Sequence, residues 1–207
     1  MPPTDPEVAL AIAYAPTAAQ DGLRAIWALD DTLRRIVDTT TEPMIGQMRM
    51  TWWHDALSNL AARPVPAEPV LRALAAARVP PAGLVRMVEG WEELIEPGTP
   101  DADRLRRHFA GRGEGLFGAA AALLGTRDDQ VAAGGRLWAT IDGARWRGLP
   151  IIADPADVAE TAQPWSRKGR PLGMLARLAR RDLRHPLGRQ GSPGRMFAMV
   201  LHAATGR

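Results

Sequence analysis

Apolar residues recur every three or four positions along most of this chain, and its glycines and prolines gather between those stretches. A period of 3.6 with breakers at the joints specifies α-helices and leaves little from which a sheet could be built. The first helix can start at Asp5, with Pro6 in its opening turn, and end near Pro16. Thr17 is a cap candidate for a longer second helix carrying Leu23, Ile26, Trp27, Leu33 and Val37. TTTEP breaks that pattern at 39–43, and a third helix follows with Met44, Met48, Trp52, Leu57 and Leu60 as its periodic face. Shorter helices are expected at 68–78 and 81–96. Asp101 or Asp103 can cap a glycine-interrupted helix over 104–125, and another runs from after Thr126 to the Gly148-Leu149-Pro150 stop. Two basic helices, 172–185 and 193–205, complete the reading. IIAD at 151–154 is too short for a sheet. The expectation is an all-α bundle of about eight to ten helices, one domain over residues 1–207.

Several functions fall away on residue types. There is no cysteine, which excludes disulfides, thiolate metal sites and cysteine nucleophiles. The histidines (His54, His108, His185, His202) show no zinc-binding spacing, and none of the three serines sits in a GxSxG elbow. No apolar run reaches the roughly 18 residues that span a bilayer. The N-terminus lacks the basic-then-apolar order of a signal peptide. The expected location is cytoplasmic, with a peripheral position at the inner membrane face as a variant. Gly113-Glu114-Gly115-Leu116-Phe117-Gly118 matches GxGxxG, but a charged helical stretch precedes it where the dinucleotide fingerprint needs a strand. Glycines 111, 115 and 118 read better as a flat helix face for close packing. Asp30-Asp31 and Asp128-Asp129 read as caps and solvated surface, because adjacent helical residues diverge too far to chelate one metal.

Charge is unevenly placed. Residues 1–100 carry 8 basic and 13 acidic side chains, whereas 101–207 carry 18 and 10. From Gln163 onward, 10 basic residues face one acid, Asp182, and Lys168 is the only lysine in the chain. Codon usage in a GC-rich genome accounts for arginine over lysine, but not for its concentration at one end. In the second-last helix Leu172, Leu175, Leu178 and Ala179 share a face, while Arg177, Arg180, Arg181 and Arg184 load the rest. The basic end is thus a candidate for docking on an anionic membrane surface or a protein partner. Nucleic acid is disfavoured, since only Trp165 and Phe197 accompany that charge as stacking aromatics.

The most distinctive block is RAIWALDDTLRRIVDTTTEPMIGQMRMTWWHDAL, residues 24–57. Arg49 lies one turn before Trp53 and is expected to face the same interior, where a charge needs a carboxylate, a phosphate or water. This block resembles the N-terminal third of the squalene/phytoene synthase family, most of all its divergent branch that includes a mitochondrial complex I assembly factor. HFAGRGEGLFGAAAALLG, LWATIDGARWRGLP, LARLARRDLRHPLGR and LHAATGR extend the similarity along the chain. The resemblance implies an isoprenoid-synthase-type helical fold around a deep apolar cavity, an isoprenoid or lipid ligand, and an ancestral condensation of two prenyl diphosphates.

Active relatives use two aspartate-rich helices to hold the magnesium ions that draw off diphosphate. Laid on this chain, the first motif puts Arg34 and Arg35 where acids belong, and only Asp38 survives. The second falls near Arg147, where Gly148 replaces an aspartate and no acid follows until Asp154. Asp38 and Asp142 are the implied remnants. Arg34, Arg35, Arg49 and Arg147 are candidates to hold a diphosphate or line a pocket, with Trp27, Trp52, Trp53 and Trp138 as pocket walls. No catalytic residue, metal ligand or cofactor is assigned, magnesium entering only if prenyl transfer persists with altered ligation. The leading expectation is a non-catalytic prenyl-binding, lipid-binding or assembly protein. The alternatives are an active prenyltransferase and a ligand-free scaffold with a basic docking surface. An interior pocket of several hundred cubic ångström would separate the first from the last.

Overall fold

A computed structural model describes residues 5–61, 64–184 and 187–207. These form ten α-helices and no strand: α1 (Pro6–Ala13), α2 (Thr17–Thr39), α3 (Pro43–Ser58), α4 (Pro69–Ala76), α5 (Pro81–Glu92), α6 (Ala102–Leu124), α7 (Val131–Arg147), α8 (Pro155–Glu160), α9 (Arg170–Asp182) and α10 (Pro193–Thr205). The all-α expectation holds. The short α8 was not foreseen: Asp154 caps it by accepting a hydrogen bond from the Ala156 amide at 2.8 Å, a start signal that is itself the last residue of the IIAD segment. The helix expected over 172–185 runs instead over Arg170–Asp182, with Leu183 as its C-cap, and His185 lies outside the described residues.

Local chemistry sets the boundaries. Asp5 accepts from the Glu7 amide and Pro6 opens α1. Asp101, rather than Asp103, caps α6 through the Arg104 amide at 2.8 Å. Thr17 is not a cap, because Pro16 holds that position and Thr17 is the first helical residue. Gly125 and Gly148 end α6 and α7 at φ +64 each, a conformation glycine adopts at least cost.

The 23-residue α6 is the centre of the bundle, antiparallel to α2, α5 and α7. Gly90 of α5 and Gly111 of α6 approach so closely that a Cβ on either would overlap the other's backbone. Gly113 of α6 and Gly135 of α7 meet in the same way. The expected flat face therefore exists at Gly111 and Gly115, while a Cβ at Gly118 would meet nothing. Backbone contact on both flanks of α6 holds α5 and α7 close against it. Leu116, Phe117, Trp91 and Leu137 fill the remaining space.

α3 is rotated from the expected face. Met50, Trp53 and Leu57 are buried, whereas Met44 is 74% exposed, Met48 67% and Trp52 47%. Gly46 packs on Ile95 and fixes this register. In α9 the stripe Leu172, Leu175, Leu178 and Ala179 is buried against α7 and α10, so that face is not free to enter a lipid layer.

Candidate functional site

Two parallel helices, α2 and α7, place the resemblance-derived residues opposite one another. Arg34 of α2 donates to Asp142 of α7 at 2.5 Å, and Arg147 of α7 donates to Asp38 of α2 at 2.7 Å. Each implied acidic remnant is thus paired with an arginine that stands in the other motif. Trp146 joins the second pair, donating from Nε1 to Asp38 at 3.2 Å, and Arg147 stacks on that indole at 4.3 Å. The Arg34 guanidinium sits 5.4 Å from the Trp146 ring centre and 6.0 Å from that of Trp91.

Beneath this layer lies a pair that the sequence reading missed. Arg112 of α6, 0% exposed, donates to both carboxylate oxygens of Asp30 at 2.9 and 2.8 Å and to Asp142 at 2.6 Å. Asp30, expected as solvated surface, is buried, and it also accepts from Trp91 Nε1 at 2.7 Å. Burial alone would raise the Asp30 carboxyl, but the Arg112 charge and hydrogen bonds outweigh it and hold the carboxyl below its ordinary range. Burial works against the Arg112 charge too, and Asp30 and Asp142 overcome it, raising its proton affinity. Trp91 and Trp138 flank the guanidinium at 4.5 and 4.9 Å. Beside this group His108 donates from Nδ1 to the Gly90 carbonyl, and burial followed by the Arg112 charge lowers its pKa to about 3.

The signal for Asp30 was present. It lies at the helical interval from Ile26 and Leu33, on an otherwise apolar stripe. Arg112 has the same relation to Phe109 and Leu116. A charge on each of two apolar stripes is an ion pair waiting for its partner.

The other candidates divide. Trp27 and Trp138 are buried edge-to-face at 6.2 Å, and Trp53 is buried with Trp52 packed on it at 5.1 Å. Trp52 itself faces solvent and lines nothing. Arg49 is exposed and donates to Thr40 Oγ1 at 3.2 Å, which overturns its expected inward orientation: the register set by Gly46 and Met50 turns it outward. Arg35 is exposed and donates to Thr32 Oγ1. The candidates are therefore not one pocket. The cavity bordering the centre, among Trp138, Ile141, Asp142, Leu175 and Arg195, is about 20 Å³, room for one water rather than a prenyl chain.

The donor set does not suit magnesium. Asp38 and Asp142 are already bound to arginines, and no group of three or more His, Asp or Glu side chains among the described residues is arranged to hold a metal ion. A second network joins the chain's ends: Arg195 of α10 bridges Glu7 of α1 and Asp182 of α9, and Arg145 adds to Asp182 at 2.8 Å.

The described residues thus form an all-α bundle in which two parallel helices face each other through acidic and basic side chains. Residues 1–97, spanning α1 to α5, match the family model described as squalene/phytoene synthase. No curated protein gives a match. No helix among the described residues is long and apolar enough to cross a membrane.

Proposed function

We propose that this chain is a squalene/phytoene-synthase-like protein that has exchanged metal-dependent catalysis for a docking or assembly role. The observation that carries the reading is the reciprocal pairing of Arg34 with Asp142 and Asp38 with Arg147, across the two helices that hold magnesium in active relatives. Direct ion pairs take the place that a metal and a diphosphate would share. The interior supports the same reading, since glycine-mediated helix contact and the buried tryptophans leave about 20 Å³ beside the ion network. A half-open cleft of about 480 Å³ lies elsewhere, between α6, α7 and residues 152–157, so the tight packing speaks against a prenyl chain at the ion network only.

Incubation with farnesyl or geranylgeranyl diphosphate and magnesium tests the proposal. The expected result is no diphosphate release above a heat-killed control, and no change in tryptophan fluorescence, because Trp91, Trp138 and Trp146 surround the site. Magnesium-dependent release with a condensation product of matching mass would overturn it.

A further inference from the structure

One groove of the surface collects positive charge without an acid. It lies between α9 and α10, measures about 260 Å³, and is lined by Arg177, Arg180, Arg181 and Arg184 with Leu178 and Ala198. Elsewhere this chain pairs its clustered arginines: Arg34, Arg112, Arg136, Arg145, Arg147 and Arg195 all reach carboxylates. Among the described residues none of the four groove arginines forms an ion pair, and Arg180 Nη1 is buried with no hydrogen-bond partner. The acid on their own helix, Asp182, is buried on the other face and held by Arg145 and Arg195. Desolvation, then Arg177 and Arg184, lowers the proton affinity of Arg180. The fold therefore crowds like charges at a partly dehydrated place, an arrangement that an anion relieves.

The rim of the groove says which anion. Ala198 lines it, and Leu201 follows one turn later on the exposed side of α10, with Phe197 and Val200 beside it. All three are exposed, Phe197 at 69%. α10 thus carries two apolar faces: one, with Met199, packs into the bundle, and the other is turned to solvent next to four arginines. Apolar side chains beside a basic groove complement a surface that is itself anionic outside and apolar beneath. A free phosphate compound would use the arginines and leave Phe197, Val200 and Leu201 without purpose.

We propose that the α9–α10 groove docks this protein on an anionic phospholipid bilayer, with headgroup phosphodiesters among Arg177, Arg180, Arg181 and Arg184 and with Phe197, Val200 and Leu201 at the acyl boundary. The mode differs from an amphipathic α9 lying in the membrane: α9 supplies only charge, and α10 supplies the apolar contact. It rests on the docking reading above by giving that reading a surface. Its failure is separable, because vesicle binding and diphosphate turnover are measured independently.

The test is flotation of the full chain with phosphatidylcholine vesicles, with and without about 30% phosphatidylglycerol, a content that gives the surface a substantial negative potential. Recovery is expected only with the anionic vesicles. Each cation near such a surface contributes roughly a fivefold gain in affinity, so Arg180→Gln with Arg184→Gln should weaken binding by at least about tenfold. Phe197→Ser, at an exposed position, should weaken it too while leaving the circular dichroism unchanged. Salt should diminish the wild-type binding without abolishing it, since the apolar contact is not screened. Equal recovery with neutral vesicles, no binding to anionic ones, or unchanged binding by the arginine pair or by Phe197→Ser would overturn the proposal. So would saturable binding of inorganic pyrophosphate or single-stranded RNA by a chain that fails to float with anionic vesicles, which would assign the groove to a soluble anion or to nucleic acid.

Discussion

Removing Arg112 should destabilise this protein more than any other single change in its ion network. Its guanidinium makes two hydrogen bonds to Asp30 and one to Asp142 and is fully enclosed between Trp91 and Trp138. In Arg112→Met the side-chain volume is largely kept, but Asp30 loses its bidentate partner. What remains to it is the Trp91 donor at 2.7 Å and Arg34 at 4.0 Å. Breaking a buried pair at one end costs about 3–5 kcal/mol, because an uncompensated charge stays behind. For a chain of this size that is a fall in melting temperature of about 6–20 °C. Asp30→Leu combined with Arg112→Met removes both charges, while Asp142 keeps Arg34. The double variant should recover to within about 2 kcal/mol of the parent, since an apolar replacement of a buried pair is often neutral. Urea unfolding followed by circular dichroism gives all four corners of the cycle. A loss below about 1 kcal/mol for Arg112→Met, or a double variant as unstable as the sum of the singles, would refute the account of Asp30 and Arg112 as a coupled buried pair.

Acid should weaken the fold well before its carboxylates titrate. Burial, then neighbouring arginines, lowers His108 to about 3 and His202 to about 4. Unfolded histidine binds a proton near 6.5, so the unfolded state takes up protons first and stability falls as pH drops from about 6.5 toward 4. His202 alone contributes about 3 kcal/mol across that window, and His202→Gln should flatten the urea midpoint against pH. The register of α3 predicts opposite outcomes for adjacent tryptophans. Trp53→Ala should cost about 3–5 kcal/mol in the same unfolding assay, whereas the exposed Trp52→Ala should cost under about 1.

The helices were legible because breakers and caps act locally: Pro43, Asp101, Gly125 and Gly148 each determine an end without reference to the rest of the chain. Which face of a helix turns inward is harder wherever apolar residues occur on two faces. In α3 the methionines Met44 and Met48 offered a stripe as good as the true one, and only the contact between Gly46 and Ile95 decides. Arg49 followed that rotation outward, so an inference about its charge failed for a reason of packing. The family resemblance pointed to Arg34, Asp38, Asp142 and Arg147 as residues, but neither the facing of α2 and α7 nor the direct pairing of their charges was read from the sequence. Asp38 to Arg147 and Arg34 to Asp142 are contacts across more than 100 positions, which no local pattern encodes. Asp30 and Arg112 could have been found from their places on apolar stripes, had charge on such a stripe been taken as a request for a partner.

The charge balance of the centre explains why these exchanges hang together. Two facing carboxylate clusters repel in the absence of a cation, so a helix pair built on them depends on metal to neutralise its own interior. In this chain Asp30 and Asp142 are matched by Arg34 and Arg112, and Asp38 by Arg147, so those pairs are neutral as they stand. A divalent cation added among them would bring two uncompensated charges into a place flanked by Trp91, Trp138 and Trp146, where such an excess is expensive. The glycine contacts of α6 draw α5 and α7 in close beside these arginines. Restoring a single acid, as in Arg34→Asp, would place a third carboxylate beside Asp30 and Asp142 and leave Arg112 to answer for all of them. Arg34→Asp should therefore give a less stable protein, because one buried arginine would face three carboxylates.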